Sequence, residues 1–132
     1  MSNNRIALVP LDNRPCCCQF PKRVGGIAGV EVLTPPESLL GKYTVAGDCE
    51  AVKAWVKEQA PDVSGMIIAI DQLAYGGLVA SRTPDRTFAE CLETLRVIPE
   101  MKRQFPNLKI YASNVLMRIS ITYKNREFLQ YG

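Results

Sequence analysis

The chain contains no histidine. That removes the most common general base, the usual metal-binding imidazole and any Ser-His-Asp triad assembled from this chain alone, so Ser81 has no partner to activate it. No run of apolar residues approaches the roughly 18 to 20 that a membrane span needs. The polar start Met1-Ser2-Asn3-Asn4-Arg5 does not look like a signal peptide. Together these point to a protein of the cytoplasm that has no membrane partner. Neither Gly-x-Gly-x-x-Gly nor Gly-x-x-x-x-Gly-Lys-Ser/Thr occurs, so the two common phosphate-cradling loops are absent. Charge of one sign is also scarce: 16 basic residues against 13 acidic give a net +3. The basic residues are scattered rather than striped, which argues against nucleic acid. There are no internal repeats, no low-complexity tract and no linker.

Cysteine is present but in the wrong pattern for a framework. Of five cysteines, Cys16, Cys17 and Cys18 are consecutive, and no Cys-x-x-Cys occurs. Neighbouring cysteines bridge poorly, because adjacent Cα atoms lie closer than a relaxed disulfide requires. A disulfide scaffold and a structural zinc site are both disfavoured. The plain expectation is reduced thiols serving as small residues. The functional alternative for the triplet is a reactive thiol at the edge of a site.

The 132 residues are 47% hydrophobic and 22% charged, the balance of one ordinary globular domain. Short β-branched runs alternate with helical stretches. Arg5 to Leu11 reads as a first strand buried on both faces, Pro21 to Ala28 as a short helix weakened by Gly25-Gly26, and Val30 to Leu33 as a second strand. A long loop from Thr34 to Gly47 follows. Asp48 then offers an N-cap to a helix whose apolar stripe is Ala51, Val52, Trp55, Val56 and Gln59, with Trp55 expected in the core. Val63 to Ile70 is the clearest strand and ends on Asp71.

Thr87-x-x-Glu90 is a capping box opening a helix with the stripe Phe88, Cys91, Leu92, Leu95 and Ile98, which Pro99 must kink or end. Leu108 to Ser113 is a fourth strand, ending on Asn114, and Thr122 to Tyr131 reads as helical. The alternation predicts an α/β domain with a parallel sheet of about four strands covered by helices. A Rossmann- or flavodoxin-like three-layer arrangement is expected, with the first half of a β/α barrel as the rival. Strand order is not legible at this level.

Ligands in such sheets bind beyond the carboxyl ends of the strands, so the residues just after each strand carry the functional information. Asp12 with Arg14 follows the first strand, Asp71 with Arg82 the third, and Asn114 with Arg118 the fourth. Arginine forks match carboxylate or phosphate oxygens, and carboxylates accept from hydroxyls, so this set suits an anionic or polyhydroxylated small molecule. Asp71 and Asp12 are the candidate catalytic pair, as acid and base or as nucleophile and partner in glycoside hydrolysis. The candidates for holding the substrate are Arg14, Tyr75, Gly76, Gly77, Arg82, Asn114 and Arg118. No cofactor is implied, although Asp12 and Asp71 could share a hard divalent cation. Against this stands the ordinary role of strand-end Asp and Asn residues, which is to cap helices, pin turns and pair with arginine. The loop Pro35-Pro36-Glu37-Ser38-Leu39-Leu40-Gly41-Lys42-Tyr43 is long enough to be a lid.

Four segments carry a resemblance. They are Ala7-Leu8-Val9-Pro10-Leu11-Asp12-Asn13-Arg14-Pro15, Pro35-Pro36-Glu37-Ser38-Leu39-Leu40-Gly41, Ile70-Asp71-Gln72-Leu73-Ala74-Tyr75-Gly76-Gly77-Leu78-Val79-Ala80-Ser81-Arg82 and Tyr111-Ala112-Ser113-Asn114-Val115-Leu116-Met117-Arg118. Together they resemble the start of a bacterial family of uncharacterised proteins, the domain-of-unknown-function family numbered four thousand one hundred and twenty-seven. The resemblance implies that residues 1–132 are an N-terminal fragment or a truncated product of a longer protein; four parallel strands by themselves would leave a sheet edge open to the missing segment or to an oligomeric partner. The Cys16-Cys17-Cys18 triplet departs from the family pattern, where a polar or aromatic residue is more usual. The resemblance implies no established reaction. Hydrolase-like action on a glycan or similar substrate is the leading expectation, and a non-catalytic ligand-binding or regulatory module, or an inactive truncated fragment, is the alternative.

Overall fold

A computed structural model describes residues 4–42, 45–77 and 86–115. Strand β1 (Arg5–Val9) leads through a turn into helix α1 (Gln19–Ile27) and strand β2 (Glu31–Leu33). The long loop contains one 3-10 turn at Glu37–Leu39 before helix α2 (Cys49–Gln59), and a second such turn at Ala60–Asp62 delivers the chain to strand β3 (Gly65–Ala69). Helices α3 (Phe88–Leu95) and α4 (Val97–Gln104) then lead to strand β4 (Lys109–Ser113).

Among the described residues every strand pairing within the sheet is parallel and the order is β2-β1-β3-β4. The sheet grows outward in one direction from β1 to β2, then jumps back over β1 to β3 and continues to β4. A barrel would keep consecutive strands adjacent. Here β2 and β3 are separated by β1, so the barrel alternative is excluded and the doubly wound, flavodoxin-like order stands.

Alternation along the strands assigns the two faces. Ala7, Val9, Met66 and Ile68 point into a core completed by Val52 and Val56 of α2, Val97 and Met101 of α4, and Leu108. Each fully buried aliphatic side chain stabilises the fold by roughly 1.5–3 kcal/mol, so this face dominates the hydrophobic stabilisation. The opposite face carries Ile6, Leu8, Val32 and Ile67, and α1 covers it only in part. Register places Leu8 beside Ile67 and Ile67 beside Tyr111. Ile67 is 42% exposed and Tyr111 64%. The first strand is therefore buried fully on one face and only partly on the other, which corrects the expectation of two covered faces. α1 packs on β2 at Gly25, where a Cβ would stand 2.6 Å from Val32 Cγ2, so that glycine allows the close approach.

Local signals hold where they were strongest. Asp48 Oδ1 accepts from Ala51 N–H at 3.0 Å, and both halves of the Thr87–Glu90 capping box form. The third helix differs. Its buried residues are Cys91 and Thr94, while Phe88 is 82% exposed and Leu92 44%. The break falls at Arg96, three residues before Pro99. Proline then occupies the first turn of α4, where its missing N–H is tolerated. The break re-phases the apolar stripe, so Val97 and Met101 replace the periodic continuation. Residues 122–131 lie outside the described residues.

Candidate functional site

The order β2-β1-β3-β4 puts the topological switch between β1 and β3, and the crevice beyond their carboxyl ends is where open α/β sheets hold ligands. Val9 pairs with Ile68 in register. Asp12 and Asp71 each stand three residues beyond that pair, at matching offsets on the two strands that flank the switch. On the other side, Ala69 pairs with Ser113, which brings the residues after β4 to the same rim.

Asp12 is 6% exposed and fixed locally. Its Oδ1 accepts from Arg14 N–H at 3.0 Å and its Oδ2 from Arg14 Nε–H at 2.7 Å. The bond and the charge of Asp12 raise the guanidinium above its ordinary value. Arg14 is thus engaged with Asp12, although half of its side chain faces solvent.

Asp71 is 2% exposed and opens a π-helical turn, Asp71–Tyr75, that follows β3 almost without a break. Its Oδ2 accepts from Val115 N–H at 3.1 Å, tying the end of β4 to the end of β3. The turn closes at Gly76, whose φ of 92° suits glycine. Gly76 N–H donates to Gln72 O and Gly77 N–H to Asp71 O, each at 3.0 Å. Side chains from α2, from α3 and from just before α3 add further donors to the carbonyls of the turn. Arg86 Nη1 donates to Ala74 O at 2.7 Å, joined by the Cys91 thiol at 3.4 Å, and the Cys49 thiol lies 3.9 Å from Gln72 O. The two helical cysteines are therefore buried donors that hold this turn.

The long loop after β2 closes onto the same place. Asn13 N–H donates to Gly41 O at 3.2 Å, Gly41 N–H to Gln72 Oε1 at 3.0 Å and Gly47 N–H to Gly76 O at 2.8 Å. A Cβ at Gly41 would collide with Gly76 O, and one at Gly47 with Leu39 O and with Gln72 Nε2, the latter at 2.6 Å. Loops from β1, β2 and β3 thus interlock through backbone groups, with fully buried Gln72 between them. Its Nε2 has no partner among the described residues.

Of the residues chosen from sequence, Asp12, Arg14, Asp71, Gly76 and Gly77 gather at this rim. Tyr75 stands half-buried at the end of the turn, and Asn114 is exposed one residue before the amide that binds Asp71. Arg82 and Arg118 lie outside the described residues. Gln72 and Arg86 were not anticipated. Gln72 follows a strand-end Asp and Arg86 precedes the capping Thr87, but neither position by itself signals a buried bond. Among the described residues no group of three or more Cys, Asp or Glu could hold a metal ion, and no helix is long and apolar enough to cross a membrane.

The thiol triplet borders Asp12. The Cys18 thiol donates to Asp12 O at 3.3 Å. Burial, followed by the hydrogen bond and charge of Asp12, pushes Cys17 up to about 12, and burial raises Cys18 as well. Such thiols are protonated at neutral pH, opposite to what an activated nucleophile needs. An open apolar groove of about 490 Å³ runs from Cys17 and Leu11 along the partly covered sheet face past Ile67 to Val115.

The family described as Protein of unknown function (DUF4127) matches residues 6–132. The chain belongs to this family. No curated protein and no solved structure matches it. For this member of DUF4127, the fold is a parallel four-stranded α/β sheet flanked by helices, an architecture compatible with many ligand- or substrate-binding functions.

Proposed function

We propose that the rim beyond β1 and β3 binds a small polyhydroxylated molecule, such as a glycan, and acts on it hydrolytically. In this reading Asp71 is the acid/base or nucleophile and Asp12 its partner, while Arg14, Tyr75, Gly76, Gly77, Arg82, Asn114 and Arg118 hold the substrate. The observation that carries it is the matching position of two buried carboxylates on the strands that flank the switch point. The protein acts in the cytoplasm, and an oligomer through an exposed sheet edge belongs to the same proposal, since β2 and β4 are the outer strands among the described residues.

A panel of chromogenic glycosides tests the reading, with Asp71→Asn as the control. The substitution keeps an acceptor for Val115 N–H, so folding should survive. Turnover in the wild type that falls by about 10²-fold or more in Asp71→Asn supports the role, within the range usual for a general acid or base. Equal turnover in both proteins removes Asp71 from the chemistry.

A second reading, a non-catalytic binding or regulatory module, draws on a specific observation. Both carboxylates already accept hydrogen bonds from protein, Asp12 from Arg14 and Asp71 from Val115. Saturable binding of a sugar or small anion with no turnover would favour it.

A further inference from the structure

Cys16 and Cys17 would project to opposite sides if the chain were extended there, because successive side chains of a strand alternate. The turn after β1 prevents this. Cys17 N–H and Cys18 N–H both donate to Arg14 O, at 2.9 and 3.2 Å, and Phe20 N–H donates to Pro15 O at 3.0 Å. The curl brings Cys16 Sγ to 3.8 Å from Cys17 Sγ, while Cys18 turns inward onto Asp12 O. Cys16 is exposed and Cys17 half-buried, so the pair is reachable from solvent.

That spacing is informative. A direct disulfide between adjacent residues is strained, since consecutive Cα atoms lie about 3.8 Å apart and relaxed bridges need about 4.4 Å or more. An atom inserted between the sulfurs meets no such obstacle. Two metal–sulfur bonds of about 2.3 Å at a tetrahedral angle place their sulfurs roughly 3.8 Å apart. The turn therefore holds two thiols at the bite of a bridging soft centre, with Cys18 not competing.

We propose that Cys16 and Cys17 form a dithiol site for a soft, thiophilic centre, either a trivalent arsenical or a d10 cation, at the edge of the strand-end rim. The site does not depend on how the rim carboxylates are read. With an arsenic(III) oxide of the type R–As=O, two S–H bonds break and two As–S bonds form. The oxide oxygen leaves with both protons as water, and arsenic stays trivalent. With a cation, the two thiol protons pass to solvent as the two metal–sulfur bonds form, and because burial and Asp12 hold Cys17 protonated this exchange strengthens as pH rises.

Phenylarsine oxide and cadmium ion separate the two sources. The reduced protein is titrated with phenylarsine oxide and followed by intact mass in excess 2-mercaptoethanol. Cadmium is followed in parallel, without competing thiol, by its thiolate charge-transfer absorption. One tightly held equivalent is expected, resistant to the monothiol and released by a small dithiol. Cys16→Ser and Cys17→Ser should each weaken it by about 10²-fold or more, the usual gain from joining two contacts in one molecule. Cys18→Ser and Cys91→Ser should leave it unchanged. Cys16 is exposed, so its serine variant should fold normally, and a far-UV circular dichroism spectrum checks this. Retention of one or both probes supports the site and identifies the class of centre. Loss of both, or an undiminished adduct in Cys16→Ser, overturns it.

Discussion

Arg86→Met removes the contact that fastens the π-helical turn to the helices behind it. The guanidinium donates to Ala74 O at 2.7 Å and to Thr94 Oγ1 at 2.8 Å, with longer contacts to Glu90 O at 3.3 Å and Glu50 Oε1 at 3.4 Å. Bonds from a charged donor contribute about 1.5–3 kcal/mol each. The two short ones share one side chain, whose ordering costs up to about 2 kcal/mol. Methionine also leaves Ala74 O with only the weak Cys91 thiol. The expected net loss is roughly 2–4 kcal/mol, which for a domain of this size lowers Tm by roughly 10 °C.

Urea unfolding of wild type, Arg86→Met and Glu50→Gln gives the comparison. Glu50 is the exposed partner, and its pair with Arg86 contributes about 1 kcal/mol at most. Hydrogen exchange at the Gly76 and Gly77 amides, which close the turn, should accelerate in Arg86→Met. The reasoning is refuted if Arg86→Met loses no more stability than Glu50→Gln, or if those two amides keep their protection.

Gly47→Ala and Gly26→Ala should move stability in opposite directions by the same chemical change. The added methyl at Gly47 meets Leu39 O and Gln72 Nε2 and should cost about 3 kcal/mol. At Gly26 nothing lies within 4 Å, so the helix should gain up to about 1 kcal/mol; urea midpoints of equal sign would contradict the packing described. Burial and the neighbouring Asp12 push the Cys17 thiol from its ordinary 9.0 up to about 12. A raised folded value means its contribution is complete below about pH 9 and is lost as pH climbs toward 12. Stability measured at successive pH values should therefore fall across that window, and Cys17→Ser should flatten the fall.

Elements with self-contained signals were readable from residues alone. The Asp48 cap and the Thr87–Glu90 box are short-range hydrogen bonds between residues three apart, so spelling and structure coincide. The apolar run Met66-Ile67-Ile68, rich in β-branched side chains, marked its strand, although Ile67 on the partly covered face is exposed. The stripe of the third helix was not readable. Phe88 lies in solvent and Thr94 in the interior, where Thr94 bonds Arg86 just ahead of the helix and Glu50 from a distant helix. The rim was half legible. Sequence position marked Asp12 and Asp71 as strand ends and pairing with arginine as the ordinary role of such residues, which Asp12 fulfils with Arg14; that Asp71 would instead accept from Val115 N–H was not legible. Gln72 as the post between three loops was equally hidden.

The cysteine triplet, the missing histidine, the alternation of strands and helices and the family segments are properties of the sequence itself. They determined an α/β sheet with polar residues at its strand ends. The strand order, the switch between β1 and β3, the exposure of Ile67 and Tyr111 and the 3.8 Å contact between Cys16 and Cys17 were decided only by the fold. Periodicity along a chain reports which side of an element is apolar. Which neighbour covers that side is set by long-range packing that no local pattern encodes.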